Sequence, residues 1–362
     1  MEKHLANRFL EQTLEAEAFE TVDDFRQILL ESIPIIDVRS PLEFAQGAVP
    51  NAVNLPLLND GERKRVGIAY KEGGQVSAIT KGLEILSNEV RDDRVVRWVR
   101  FLEHHPNALI CCWRGGLRSR IVQMWLREAG WQVPRIVGGS KAIRTFCLDT
   151  IDAAGKHNYI VLAGRTGSGK TQLLRELQPS IDLEGLAHHR GSAFGGDTAS
   201  QPPPVNFEST LTKDLLRFLH TRAILVEDES RVIGKLAIPE SLFKKMGQSP
   251  VVVLHADQAE RIQFIYHSYV RGTAENVMLS NLEKIQKRLG MEHYYEIRSS
   301  IKNAYHTDDR EDHFSWLSLL LRYYYDPMYD YQLSRKEDRL IYSGPKSAVK
   351  EFLMTKCDLQ VR

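Results

Sequence analysis

The stretch Cys112-Trp113-Arg114-Gly115-Gly116-Leu117-Arg118 places a thiol at the head of a glycine-containing loop with two guanidinium groups. The apolar run Leu109 to Cys112 reads as a strand and Arg118 to Glu128 as a helix, so the cysteine falls at the carboxyl edge of a sheet, where open α/β folds place their sites. Backbone N–H groups of such a loop converge on one point, the helix adds its positive end, and Arg114 and Arg118 add full charges. All three favour thiolate over thiol, the form that does chemistry. The same cradle suits an anion delivered to the sulfur, or a persulfide or perselenide formed on it. An arbitrary cysteine is more often packing; this one has the setting of a reactive group. Cys111 precedes it within the strand, so it faces the other side of the sheet and reads as core. Cys147 and Cys357 read as packing residues.

A second constellation, Gly164-Arg165-Thr166-Gly167-Ser168-Gly169-Lys170-Thr171, fits G-x-x-x-x-G-K-[ST]. The apolar run Tyr159 to Ala163 precedes it and a helical pattern from Lys170 to Leu177 follows, which is the context a phosphate loop requires. Glycines let the backbone curl so that N–H groups face phosphate oxygens, Lys170 supplies a point charge, and Thr171 supplies a hydroxyl for a metal ion or a phosphate. The strand-like run Ala223 to Val226 ends in Glu227-Asp228-Glu229, and Asp228 or Glu227 is the candidate to hold Mg²⁺. A solvated acidic turn is the plainer reading of these residues. His188, His189, Arg190 and Ser192 read as an anion-contacting loop better than as a metal site, because two adjacent histidines share no face.

These loops need parallel sheets to position them. Ile33 to Val38, Ala52 to Leu55, Leu109 to Cys112 and Arg135 to Val137 read as strands separated by helical patterns, the signature of βαβ units. A second cycle starts near Lys156 and includes Val251 to Leu254. Gly195 to Pro204 reads as a surface loop. Beyond about residue 258 the pattern turns helical and rich in Tyr, Arg and Lys. With 362 residues the chain suits two domains and a helical appendage. The expected division is 1–150, 151–257 and 258–362, with a boundary near 150–157.

The composition is that of an ordinary globular protein, with 43% hydrophobic residues and a net charge of +1. No global basic signature marks a nucleic-acid binder, so a polyanion site must be local. One local excess runs from Arg114 through Arg118, Arg120, Arg127, Arg135 and Lys141 to Arg144, against Glu128 alone. Four cysteines make neither a disulfide framework nor a zinc site. No leader and no run of about 18 apolar residues is visible, and a reducing cytoplasm is the expected location.

Strand, Cys-x-Arg-Gly-Gly-x-Arg-Ser loop and helix resemble the active loop of the rhodanese family. Upstream, Asp37-Val38-Arg39-Ser40-Pro41-Leu42-Glu43-Phe44 and Gly47-Ala48-Val49-Pro50-Asn51-Ala52-Val53-Asn54-Leu55-Pro56 resemble a second rhodanese mark. They depart from it at Ala48, where His is usual, and at Asn51, where Gly is usual. Asp37 and Arg39 are expected to brace the loop, a surface ion pair being the plainer alternative.

A rhodanese-like unit joined to a phosphate loop is similar to the bacterial tRNA 2-selenouridine synthase family, over nearly the whole chain. That resemblance implies an α/β fold: an N-terminal rhodanese-like parallel sheet, a P-loop domain and a helical C-terminal region. It implies a transferase that replaces the sulfur of 2-thiouridine at the tRNA wobble position with selenium from selenophosphate, by way of a geranylated intermediate made from geranyl diphosphate. Cys112 takes the selenium-carrying position as S-selanylcysteine, with Trp113, Arg114, Gly115, Gly116 and Arg118 around it. The loop from Gly164 to Thr171 takes the diphosphate. No tightly bound cofactor is implied. The implied partners are tRNA near its anticodon and selenophosphate synthase, without a membrane. Stacking of bases on the run Arg322 to Tyr331 competes with plain tyrosine packing. The alternative function is a sulfurtransferase with an accessory ATPase.

Overall fold

A computed structural model describes residues 19–189 and 200–362. They form two compact units. Among the described residues the first comprises 19–150 with 203–216 and the second 151–189, 200–202 and 217–362.

The first unit is built on five short strands: β1 (Thr21–Val22), β2 (Ile35–Asp37), β3 (Ala52–Asn54), β4 (Leu109–Cys111) and β5 (Arg135–Ile136). They lie in the order β1-β5-β4-β2-β3, every pair parallel. Alternation along the strands splits their side chains between two cores. Ile35, Leu109, Cys111 and Ile136 pack with Ile28, Ile143 and Cys147 on one face. Ile36, Val38, Ile110 and Cys112 pack with Trp98, Leu102, Val122 and Leu126 on the other. A sheet apolar on both faces must be covered by helices on both, which explains the nearly continuous apolar strands.

The helix Pro204–Phe218 follows the phosphate loop in sequence, yet most of it belongs to this first unit. Leu216 enters the core beside Cys147, and Thr212 Oγ1 donates to the Cys147 carbonyl at 3.3 Å. Asn206 Oδ1 accepts from the Ala48 N–H at 3.0 Å. The expected linear division placed this helix in 151–257; long-range packing assigns it elsewhere.

The second unit has its own parallel sheet: β6 (Tyr159–Gly164), β7 (Ser180–Ile181), β8 (Ile224–Glu227), β9 (Val251–His255) and β10 (Leu340–Pro345), in the order β10-β9-β6-β8-β7. Ile160, Leu162, Leu225, Val252 and Leu254 pack against Leu173, Leu174, Val349 and Leu353. Residues 258–339 are helical and enclose a separate core around Trp316, Leu282 and Ile297. The C-terminal region is thus mostly helical, but Gln360–Val361 pairs with Leu177–Gln178 and β10 returns to the sheet edge. That strand was not legible because Leu340 and Ile341 are 39% and 46% exposed and Ser343-Gly344 interrupts the apolar run. No helix among the described residues is long and apolar enough to cross a membrane.

Candidate functional site

The cysteine loop hangs from the end of β4 and is fastened by the turn after β5. The Cys112 carbonyl accepts from the Ser140 N–H at 2.9 Å and the Trp113 carbonyl from the Lys141 N–H at 3.0 Å. Arg135 Nη1 donates to the Gly115 carbonyl at 2.8 Å. Gly139 has φ of +63°, and a Cβ there would sit 2.1 Å from the Cys112 carbonyl oxygen. Only glycine permits this approach. Gly138-Gly139 therefore belongs to the loop's machinery, although the sequence marked it only as a strand end.

Asp37 and Arg39 are both buried, and the guanidinium grips the carboxylate at 2.7 to 3.0 Å. Arg39 Nη2 also donates to the Gly47 carbonyl at 2.9 Å, and the guanidinium carbon lies 5.9 Å from the Trp113 ring centroid. Burial alone would lower the Arg39 pKa; the hydrogen bonds and charge of Asp37 raise it overall. This is no surface ion pair. It joins the end of β2 to the loop through the indole.

Arg118 was expected to lend an uncompensated charge to the sulfur. Instead its guanidinium donates to both carboxylate oxygens of Glu43. Burial pushes the Glu43 carboxyl up, and Arg118 more than offsets it, holding the group low. Arg114 is exposed. The Cys112 thiol is 3% exposed and hydrogen-bonds Ser119 Oγ at 3.3 Å. Beside the loop lies a cleft of about 370 Å³ lined by Arg39, Arg63, Trp113, Ser140 and Arg144. Cys112 is not among the residues that line it. Cys111 lies on the opposite face, where burial pushes its thiol well up, Asp37 adding to the effect.

The phosphate loop spans the end of β6 and the helix Lys170–Glu176. Gly167 and Gly169 have φ of +82° and +85°, and a Cβ on Gly167 would meet Ile265 at 2.9 Å. Lys170 Nζ donates to the Gly164 carbonyl at 2.6 Å, closing the loop on itself. Arg165 pairs with Asp330 at 2.7 Å, and the Thr166 carbonyl accepts from Arg261 Nε at 2.8 Å. The buried Ser168 hydroxyl has no partner among the described residues.

Facing Thr171 is a group of acids that the sequence reading only half found. Oxygens of Glu184, Glu227 and Glu229 all lie within 4.8 Å of one another. Glu227, at the end of β8, is 1% exposed. Burial raises all three carboxyls. The charge of Glu184 adds to it for the other two, so Glu227 is pushed up to about 8 and Glu229 to about 9, whereas at Glu184 the hydrogen bond with Glu229 works against burial. Asp228, the other ion candidate, points elsewhere and pairs with Lys336 Nζ at 2.5 Å. Glu184 was hidden in a segment read for its histidines. His188 is exposed and ends the helix Leu183–Ala187 in a left-handed conformation, φ +49°. Arg190 and Ser192 lie outside the described residues. In the tyrosine-rich run, Tyr324 and Tyr325 are core residues, while Tyr331 is 66% exposed.

A parallel sheet with a cysteine at its carboxyl edge, in one chain with a phosphate-loop sheet, defines a rhodanese-like protein with a nucleotide-binding-type α/β partner unit. Residues 21–145 match the rhodanese-like domain family and residues 157–359 match the tRNA 2-selenouridine synthase AAA domain family. The chain belongs to the tRNA 2-selenouridine synthase family. It is 40% identical over 353 residues to the tRNA 2-selenouridine synthase of Marinobacter nauticus, covering 91% of this chain and 96% of that one. With the synthase of Serratia proteamaculans the identity is 41%, covering 92% and 95%. With that of Hydrogenovibrio crunogenus it is 42%, covering 91% and 98%.

Proposed function

We propose that this chain replaces the sulfur of a 2-thiouridine in tRNA with selenium, at the wobble position and by way of an S-geranylated intermediate. The observation that carries the reading is the coexistence, in one chain that aligns with 96% of a family relative, of an intact cysteine loop and an intact phosphate loop. The geranyl step forms a bond between the thiouridine sulfur and the first carbon of the prenyl chain and breaks that carbon's bond to diphosphate. Alkylation turns a poor leaving group into a better one. A selenium nucleophile then forms the C2–Se bond as the C2–S bond breaks and geranyl thiol departs. Selenophosphate supplies the selenium at the selenide level, its Se–P bond breaking as water takes the phosphoryl group to phosphate, and the Cys112 loop places that selenium against C2. Positioning and charge stabilisation do most of the work.

In this reading Lys170, Thr171 and the loop amides hold the diphosphate. What favours a prenyl donor is a small apolar cavity that shares Thr166 with the phosphate loop and is walled by Ile265, Met278, Trp316, Leu317 and Leu320. Two π-helical turns, Tyr266–Val270 and Leu321–Tyr325, also contribute to its wall. Such turns recur at functional sites. The cavity is tight, about 20 Å³, so a ten-carbon chain requires its walls to part.

The test is mass spectrometry of wobble nucleosides from cells lacking the protein, complemented with wild type, Cys112→Ser or Lys170→Ala. The expected outcome is loss of selenouridine with persistence of the geranylated nucleoside for Cys112→Ser, and loss of both for Lys170→Ala. Unchanged nucleosides in both would sink the proposal.

A further inference from the structure

Trp98 and Trp125 of the first unit are 1% and 4% exposed and stack on each other, ring centroids 6.3 Å apart. Trp113, in the same unit, is 39% exposed, so core packing does not account for it. The indole is held in place all the same. Its residue's carbonyl accepts from the Lys141 N–H at 3.0 Å, and the buried Arg39 guanidinium carbon lies 5.9 Å from the ring centroid. The ring forms part of the wall of the cleft of about 370 Å³ beside the cysteine loop. That volume falls within the roughly 300–1,000 Å³ of small-ligand sites.

The second observation is how the neighbouring cations are used. Arg39, Arg118 and Arg144 are paired with Asp37, Glu43 and Glu208, and Arg63 lies 3.6 Å from Glu43. Arg135 is engaged with the Gly115 carbonyl. Arg114 and Lys141, by contrast, are exposed and form no ion pair among the described residues. Both start beside the indole: Arg114 follows it in the chain, and Lys141 is the residue whose N–H holds its carbonyl. Among the described residues the cleft is lined by one carboxylate, Glu43, and Arg118 and Arg63 already answer it. The basic run seen in the sequence is thereby sorted, and two uncompensated charges remain next to one exposed aromatic face.

A small oxyanion would use the cations and leave the indole idle, and an apolar ligand would do the reverse. A single-stranded nucleotide uses both, because its base stacks on an aromatic face while its phosphates meet cations. We infer that Trp113, Arg114 and Lys141 form a platform for one unpaired nucleotide of an RNA, the base on the indole and the flanking phosphates on the two cations. The phosphate contacts fix the register of the strand without reading its sequence. The inference rests on the proposed function only in taking that nucleotide to be the thiouridine. Trp113 directly follows Cys112, so a base stacked on the indole lies at the loop that presents selenium.

The experiment uses the full-length protein without selenium or prenyl donor. An anticodon stem-loop RNA carrying 5-iodouridine at the wobble position is crosslinked by ultraviolet light, and the adduct is mapped by peptide mass spectrometry. The expected adduct is on Trp113. In fluorescence anisotropy with the same RNA, Trp113→Ala should weaken binding by about fivefold or more, the value of one stacked base, and Trp113→Phe should recover most of that loss. Arg114→Gln and Lys141→Gln should each reduce the slope of log affinity against log salt by about 0.7, one single-strand phosphate contact apiece. Tyr331→Ala, which removes an exposed aromatic of the second unit, should change neither affinity nor adduct. An adduct on Tyr331 or elsewhere outside the cysteine loop, wild-type affinity in Trp113→Ala, or displacement of the RNA by inorganic phosphate at matched ionic strength would overturn the inference. Should Trp113→Ala not fold by circular dichroism, the wild-type adduct and the two salt slopes decide it. If the nucleoside assay fails while the adduct forms on Trp113, the assigned reaction is wrong and the platform stands; the reverse result keeps the reaction and removes the platform.

Discussion

The two units use one device, a glycine loop at the carboxyl edge of a parallel sheet, and treat charge in opposite ways. Around Cys112 three arginines are matched with acids: Arg39 with Asp37, Arg118 with Glu43, Arg144 with Glu208. The sulfur sits under this finished frame. Around Lys170 the acids outnumber the bases, and Glu227 Oε1 is buried without a hydrogen-bond partner among the described residues. The first loop is fastened by hydrogen bonds and ion pairs within its own unit. The second gathers three carboxyls beside one lysine. Preorganisation and charge deficit are two ways of preparing a parallel-sheet edge for chemistry.

The largest expected effect separates the two faces of β4. Cys112→Ser should abolish selenouridine formation by roughly 10³-fold or more, as removal of a covalent participant does, with little change in thermal stability. Cys111→Ser should retain the modification. It should lose about 1–3 kcal/mol of stability through burial of a polar group. Equal loss of product in the two variants would erase the distinction between the faces.

Next comes the frame itself. Arg39→Ala leaves Asp37 buried and unpaired, which should cost about 3–5 kcal/mol in denaturant unfolding. Arg165→Ala, in the partly exposed pair with Asp330, should cost less than about 1 kcal/mol. Comparable costs would mean that the first loop is no more finished than the second. Lys170→Ala should weaken inorganic diphosphate binding by roughly 10- to 100-fold, the value of a charge-assisted contact, and leave Cys112 alkylation rates unchanged.

The smallest effect is one of pH. Glu229 is a carboxyl whose folded pKa lies at about 9, far above its unfolded value. Its contribution to stability is fully present below the unfolded value and is lost as pH rises towards 9. Glu229→Gln should therefore melt at a higher temperature than wild type at pH 8–9, with the gap closing towards pH 5. A gap that ignores pH would remove the charge deficit from the comparison.

Much of this was legible from the chain alone, for physical reasons. Strands buried on both faces announce themselves as apolar runs, and glycine and lysine at fixed spacing announce a loop around phosphate. Cys111 and Cys112 could be told apart because side chains alternate along a strand, and the two cores receive them as that alternation requires. These are local rules, satisfied within a few residues.

What only the tertiary structure decided is where distant charges end. Nothing in the spacing showed that Glu43 answers Arg118 across 75 positions, or that Lys336 takes Asp228 and leaves Glu227 to the cluster. Nor could it show that the helix Pro204–Phe218 serves the first unit, or that Gly139 yields to the Cys112 carbonyl. Local sequence fixes backbone conformation and which face a side chain takes. Pairing between remote groups depends on packing, which brings them within a few ångströms only once the whole chain has folded.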